Sequence, residues 1–137
     1  MKSLFLDTNI VVDLLAKREP FYSTSAPIFA MGDRGMVQLF ICSLSFSTIF
    51  YLLRKQVGKE KAMLILRSFR KLVSVLPVND DIVDKALQSS FTDFEDAIQY
   101  YSAIDSGIET IITRNVKDYK DAEATVMTPE EFLYSCH

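Results

Sequence analysis

The chain alternates between short apolar runs and stretches where apolar residues recur every three to four positions. Ser3-Leu4-Phe5-Leu6 is a brief run that ends in Asp7, the pattern of a strand buried on both faces. Ile10, Val11, Leu14 and Leu15 then fall at helical spacing, with Thr8 or Asn9 as the cap and Pro20 as the stop. A second helix is predicted over 23–34 with Ile28, Phe29 and Met31 inward, ended near Gly32 and Gly35, followed by a strand over 36–42. Phe46, Ile49, Phe50 and Leu53 mark the buried face of a helix over 44–55. Residues 59–71 read as an amphipathic helix with Ala62, Ile65, Leu66 and Phe69 inward.

The second half repeats the alternation. Ser74-Val75-Leu76 is a third strand before Pro77, and 80–89 is a helix with Ile82, Val83, Ala86 and Leu87 on one face. Thr92 opens a helix over 93–106 that Gly107 closes. Thr110–Thr113 is a fourth strand and Val126-Met127 a fifth. Thr128-Pro129-Glu130-Glu131 starts a last helix with a capping box. Strands separated by helices, with no Asn-Gly hairpin turn, give a parallel α/β sandwich. Neither a repeat nor a linker interrupts it, so residues 1–137 are expected to form one domain.

Composition narrows the chemistry. Of 137 residues, 49% are apolar and 16 are Phe or Tyr, which excludes disorder. Two cysteines, Cys42 and Cys136, are too few for a disulfide scaffold. The single histidine is His137, so chemistry built on histidine is excluded, and a catalyst here works with carboxylates. The 19 residues from Gly35 to Leu53 carry no charge, but a strand running into a helix accounts for them better than a membrane span, and Asp7 and Asp13 interrupt any leader. The expected location is the cytoplasm.

Sites in parallel α/β sheets lie beyond the carboxyl ends of the strands, near a switch in strand order. Asp7 ends the first strand and, with Thr8 and Asn9 available as caps, is not needed for capping. Thr113, Arg114 and Asn115 follow the fourth strand, with Asp118 beyond them. In the helix between, Thr92-Asp93-Phe94-Glu95 reads as a capping box that accounts for Glu95, and the helix dipole accounts for Asp93, while Asp96 is explained by neither. Oxygen ligands without His or Cys favour Mg²⁺ or Mn²⁺ over zinc, and phosphoryl transfer is the usual chemistry of such sites.

Net charge is −3, but it is unevenly spread. Seven of fifteen basic residues lie between Arg54 and Lys71, including Lys55, Lys59 and Lys61, whereas seven acids lie between Asp80 and Asp105. A basic helical hairpin beside an acidic face suits a nuclease, with Arg54, Lys55, Lys59 and Lys61 on nucleic-acid phosphates. Tyr100, Tyr101 and the Phe21-Tyr22 pair are read as core residues rather than base-stacking ones.

At this point the sequence resembles the PIN domains over nearly its whole length. Leu6-Asp7-Thr8-Asn9-Ile10-Val11-Val12-Asp13 is similar to their opening motif. Phe94–Ala103 resembles the segment carrying their later helix Asp, and Ile111–Tyr119 resembles their Thr-Arg-Asp/Asn stretch. The resemblance implies a three-layer α/β/α sandwich around a central parallel sheet of four to five strands. It also implies a Mg²⁺- or Mn²⁺-dependent endoribonuclease, often the toxin of a toxin–antitoxin pair and often a homodimer. Asp7 and Asp96 match the metal carboxylates, Asp118 the next acid, and Asn9 and Thr113 supporting polar positions. Two positions depart: Thr48 stands where many members have an acid, and Asn115 where many have a metal-binding Asp. The departures leave three alternatives: one-metal binding, weaker binding, or compensation by Glu95 or Asp118. The alternative is a PIN-fold module that binds RNA or a protein partner with little or no cutting.

Overall fold

The computed structural model describes residues 1–119 and 123–136; His137 lies outside them. Five strands, β1 (Lys2–Leu6), β2 (Val37–Cys42), β3 (Ser74–Leu76), β4 (Thr110–Ile112) and β5 (Thr125–Met127), form one parallel sheet in the order β3-β2-β1-β4-β5. Among the described residues seven α-helices connect or follow them: α1 (Thr8–Leu15), α2 (Phe21–Asp33), α3 (Ser43–Val57), α4 (Lys59–Arg70), α5 (Asp80–Gln88), α6 (Phe94–Asp105) and α7 (Pro129–Ser135). The expected sandwich is what the chain adopts.

Alternation along β1 explains the layers. Leu4 and Leu6 join Leu39, Ile41 and Ile112 under α1, α2, α3, α4 and α7, where Val11, Ile28, Ile49, Leu66 and Phe132 pack. Phe5 points the other way, into a second core with Ile82 and Ala86 of α5 and Ala97, Ile98 and Ala103 of α6. Both faces of β1 are therefore covered, which is why its run is continuously apolar. Each large side chain so buried contributes about 1.5–3 kcal/mol of transfer free energy. Gly32 lets α2 approach β2 closely, because a Cβ there would stand 2.5 Å from Leu39 Cδ1.

Three local readings need correction. Asp7, not Thr8 or Asn9, caps α1: its Oδ1 accepts the Asn9 N–H at 3.2 Å. Pro20 does not end α1. The helix stops at Leu15 in a Schellman turn, with Lys17 N–H on Leu14 O (3.2 Å) and Arg18 N–H on Asp13 O (3.0 Å), and Lys17 takes the left-handed φ of 53° that such a turn requires. Pro20 instead precedes the first turn of α2, two residues earlier than the apolar spacing suggested. Third, Asp93 rather than Thr92 caps α6, accepting the Asp96 N–H at 2.9 Å. That one-residue shift leaves Glu95 free of the capping role. The capping box of Thr128 with Glu131 forms as read, and Gly107, at φ 78°, closes α6 as expected.

Candidate active site

The order β3-β2-β1-β4-β5 reverses direction of growth between β1 and β4, and the chain leaves both strands at that crevice. Ladder bonds continue one residue past each strand, from Asp7 N–H to Ile112 O at 3.0 Å and from Thr113 N–H to Met127 O at 2.9 Å. Asp7 and Thr113 are thus fixed side by side by backbone. Sheet geometry, not loop chance, presents them.

Asp7 is 2% exposed and accepts four hydrogen bonds. Oδ2 takes Thr113 Oγ1 at 2.8 Å and Tyr119 Oη at 3.3 Å; Oδ1 takes Asn9 N at 3.2 Å and Gln99 Nε2 at 3.5 Å. Burial, followed by the negative charge of Asp7 and Asp96, pushes the Tyr119 phenol far up, so it stays protonated and donates. Gln99 is oriented by Thr8, whose N–H and Oγ1 lie 2.9 and 3.1 Å from Gln99 Oε1. Its amide nitrogen consequently faces two carboxylates at once, Asp7 Oδ1 and Asp96 Oδ1, each 3.5 Å away.

Asp96 is the other principal acid. Burial, then the charges of Asp7, Asp93, Asp118 and Glu95, push its carboxyl up to about 7. Asp118 is exposed on the 3₁₀ turn Val116–Tyr119, held by its N–H to Asn115 O at 3.0 Å, and adds to this field. Glu95, also raised by burial, reaches the hydroxyls of Thr8 and Thr48, each 3.4 Å from Oε1. Ser45 completes this corner, its Oγ 2.6 Å from Thr8 Oγ1.

The predicted residues therefore separate into groups. Asp7, Asp96, Glu95, Thr48 and Thr113 come together, and Asn9 contributes its backbone N–H to Asp7. Asn115 is exposed; its N–H bonds Thr113 Oγ1 at 3.1 Å, and its side chain lines a neighbouring cleft. Arg54, Lys55, Lys59 and Lys61 are exposed at the junction of α3 and α4, beginning about 9 Å along the helix axis from Thr48. Lys55 Nζ lies 4.2 Å from the Tyr51 ring centroid. Tyr100 packs in the core against Phe91, with ring centroids 5.2 Å apart.

Gln99, Thr8, Ser45 and Tyr119 are site members that the sequence did not single out. Gln99 had a readable signal: it lies one turn beyond Asp96 on the same helix face. Ser45 had none, since a serine in an apolar helix gives no hint of what it meets.

Among the described residues, no group of three or more His, Cys, Asp or Glu side chains is arranged as a closed metal cage. The donor set still fits a hard divalent cation. It is all oxygen, two carboxylates face each other across one amide, and Asp96 carries an uncompensated penalty that a cation would remove. Mg²⁺ commonly takes only one or two carboxylates and keeps its waters.

Residues 3–117 match the PIN domain family. The chain is 26% identical over 136 residues to "Ribonuclease VapC1" of Aquifex aeolicus, covering 96% of this chain and 93% of that one. Among solved structures it resembles a toxin–antitoxin complex from Klebsiella pneumoniae, with TM-score 0.70 and 22% identity over 92% of this chain and 97% of the other. It also resembles VapC20 of Mycobacterium tuberculosis, a toxin that cleaves the sarcin–ricin loop, with TM-score 0.63 and 17% identity over 79% and 86% of the two chains. With the sheet order, the paired Asp7 and Thr113 and the helix acid Asp96 all in place, the chain belongs to the PIN domain family.

Proposed function

We propose that this protein is an endoribonuclease that hydrolyses RNA phosphodiester bonds at the Asp7–Asp96 crevice with Mg²⁺ or Mn²⁺. The observation that carries the reading is Asp7 itself: a buried carboxylate held by four donors, facing a second acid whose carboxyl is pushed up to about 7. Neither acid has a basic side chain among its hydrogen-bond or ion-pair partners in the described residues, an arrangement that suits a cation.

A divalent ion held by Asp7 and Asp96 would lower the pKa of a bound water and offset charge on the leaving oxygen. The chain's own residues prepare that place. Thr113 and Tyr119 fix Oδ2 of Asp7, leaving Oδ1 as the face toward Asp96, and Gln99 keeps the two acids in register. Glu95 stands at the Thr48 position, where it supplies from α6 the charge that α3 lacks, and Asp118 and Asn115 border the opening. Arg54, Lys55, Lys59 and Lys61 hold phosphates farther along the strand. Cleavage leaves 5′-phosphate and 3′-hydroxyl ends by analogy with metal nucleases.

The toxin–antitoxin complex among its structural relatives supports a toxin restrained by an antitoxin protein; a cytoplasmic location and a homodimer are proposed with it. A second reading, a PIN-fold module that binds RNA or a protein without cutting, draws on the neutral Thr48 and Asn115 and on the absence of a three-acid cage among the described residues. The two are separated by incubating a mixed RNA pool with the protein in Mn²⁺ and in EDTA. Mn²⁺-dependent cuts bearing 5′-phosphates, absent with Asp96→Asn, are expected. RNA retention in both buffers with no cuts would favour the binding module.

A further inference from the structure

A second cleft of about 310 Å³ opens beside the carboxylates, lined by Phe21, Thr24, Arg114, Asn115, Thr128 and Glu130. It is tied to the crevice through one residue. Asn115 N–H bonds Thr113 Oγ1, and the same hydroxyl donates to Asp7 Oδ2. Its volume is at the small end for ligand pockets, which run from about 300 to 1,000 Å³.

The cleft is built around a fixed guanidinium. Arg114 Nη2 donates to Asp13 Oδ1 at 3.3 Å and Nε lies 2.7 Å from Oδ2 as a close ion-pair contact, so one hydrogen bond and the charge pair join the two groups. Asp13 is fully buried, whereas the Arg114 side chain is 24% exposed. Phe21, itself 37% exposed, has its ring centroid 3.9 Å from Arg114 Cζ. Ion pair and ring together hold the guanidinium plane, and among the described residues Nη1 has no partner. A planar donor so oriented is a reader of acceptor edges.

Charge decides which acceptor. Asp13 already neutralises Arg114, the charge of Arg18 also acts on Asp13, and Glu130 adds a carboxylate to the wall, so the charges around the cleft balance. Such a cleft offers phosphate no net attraction. It suits a neutral planar group with acceptors on one edge and donors on another. Guanine has that combination: O6 and N7 accept from arginine, while N1–H and the N2 amine donate to a carboxylate. Adenine presents an amine where guanine has O6, and so offers arginine only N7.

We propose that the Phe21–Arg114–Glu130 cleft is a base subsite that receives a guanine of the RNA strand next to the phosphodiester at Asp7. Arg114 reads the O6/N7 edge, Glu130 the N1/N2 edge, and Phe21 packs beside the base at the rim. This inference rests on the ribonuclease reading above.

The test is fluorescence anisotropy of four short RNAs, identical except for G, A, C or U at one central position, measured in EDTA so that no cutting occurs. The G oligomer is expected to bind at least about tenfold tighter than the other three. Glu130→Gln, a surface change, and Phe21→Ala, which removes the ring from Arg114 but keeps its ion pair with Asp13, should each bring the four affinities together while circular dichroism shows the fold retained. Equal affinities in the wild type would assign the cleft to backbone contact and overturn the subsite while leaving RNA recognition standing. A G preference that survives both substitutions overturns it too. No binding of any oligomer would count against the ribonuclease reading and the subsite together.

Discussion

Thr48 Oγ1 lies 3.4 Å from Glu95 Oε1, so a neutral hydroxyl on α3 touches a carboxylate carried by α6. On the proposed function, Glu95 supplies from α6, across the crevice, a carboxylate beside the neutral Thr48. It reaches that point because Asp93 takes over the helix cap and frees Glu95.

The relocation has a direct consequence for cation affinity. Glu95→Gln should weaken Mn²⁺ binding about tenfold or more, in the range seen when a group supporting metal ligands is removed. Adding Thr48→Glu to that variant should restore much of the loss. Calorimetric titration of both proteins checks this, and an unchanged affinity in Glu95→Gln would leave Glu95 a bystander.

Cation-free protein should be more stable in mild acid than at neutral pH. Asp96 is raised from 3.8 to about 7 by burial first and neighbouring acids next, so the folded state binds its proton more tightly than the unfolded chain does. Stability from this group is fully present below about 4 and is lost as pH rises toward 7 and beyond. Glu95 and Asp13, both raised by burial, act with the same sign. Melting curves in EDTA between pH 5.5 and 8 should fall with pH, and Asp96→Asn should flatten that fall. A melting temperature that climbs through this window contradicts the assignment.

Thr113→Val removes the 2.8 Å donor to the buried Asp7 while keeping the shape of the side chain. The carboxylate loses its shortest hydrogen bond inside the protein, which costs about 1–3 kcal/mol. Urea denaturation measures it. The same variant should bind Mn²⁺ less tightly, because Oδ2 then keeps only the longer bond from Tyr119 Oη at 3.3 Å.

Arg114→Met leaves Asp13, fully buried, without its cation. Removing one partner of a buried pair costs about 3–5 kcal/mol. Replacing both, as Asp13→Leu with Arg114→Met, should recover most of the loss in the same denaturation assay.

Much of this was legible in the sequence, and the exceptions have physical causes. The continuous run Leu4-Phe5-Leu6 announced a strand covered on both faces, and the two cores above and below β1 are the reason. Asp7 and Asp96 stood out because no local role seemed to require them, although Asp7 turned out to cap α1 as well as to occupy the site. Capping was the weak point. Thr92 and Asp93 are both good caps, and only tertiary placement of α6 chose between them. Tyr119 escaped notice because a buried phenol gains meaning only from the carboxylate it meets, more than a hundred residues away in sequence, whereas the place of Gln99 one turn beyond Asp96 was a signal left unread. The stop of α1 was missed because its left-handed turn residue is Lys17 rather than glycine.

The most direct measurement is titration of Mn²⁺ into the wild-type protein and into Asp7→Asn and Asp96→Asn, with cleavage of an RNA pool followed in the same buffer. Saturable binding and cutting in the wild type are expected, with both lost in each variant while circular dichroism shows the fold retained. Absence of binding up to millimolar Mn²⁺, or cutting that survives both substitutions, would contradict a cation-dependent nuclease centred on Asp7 and Asp96.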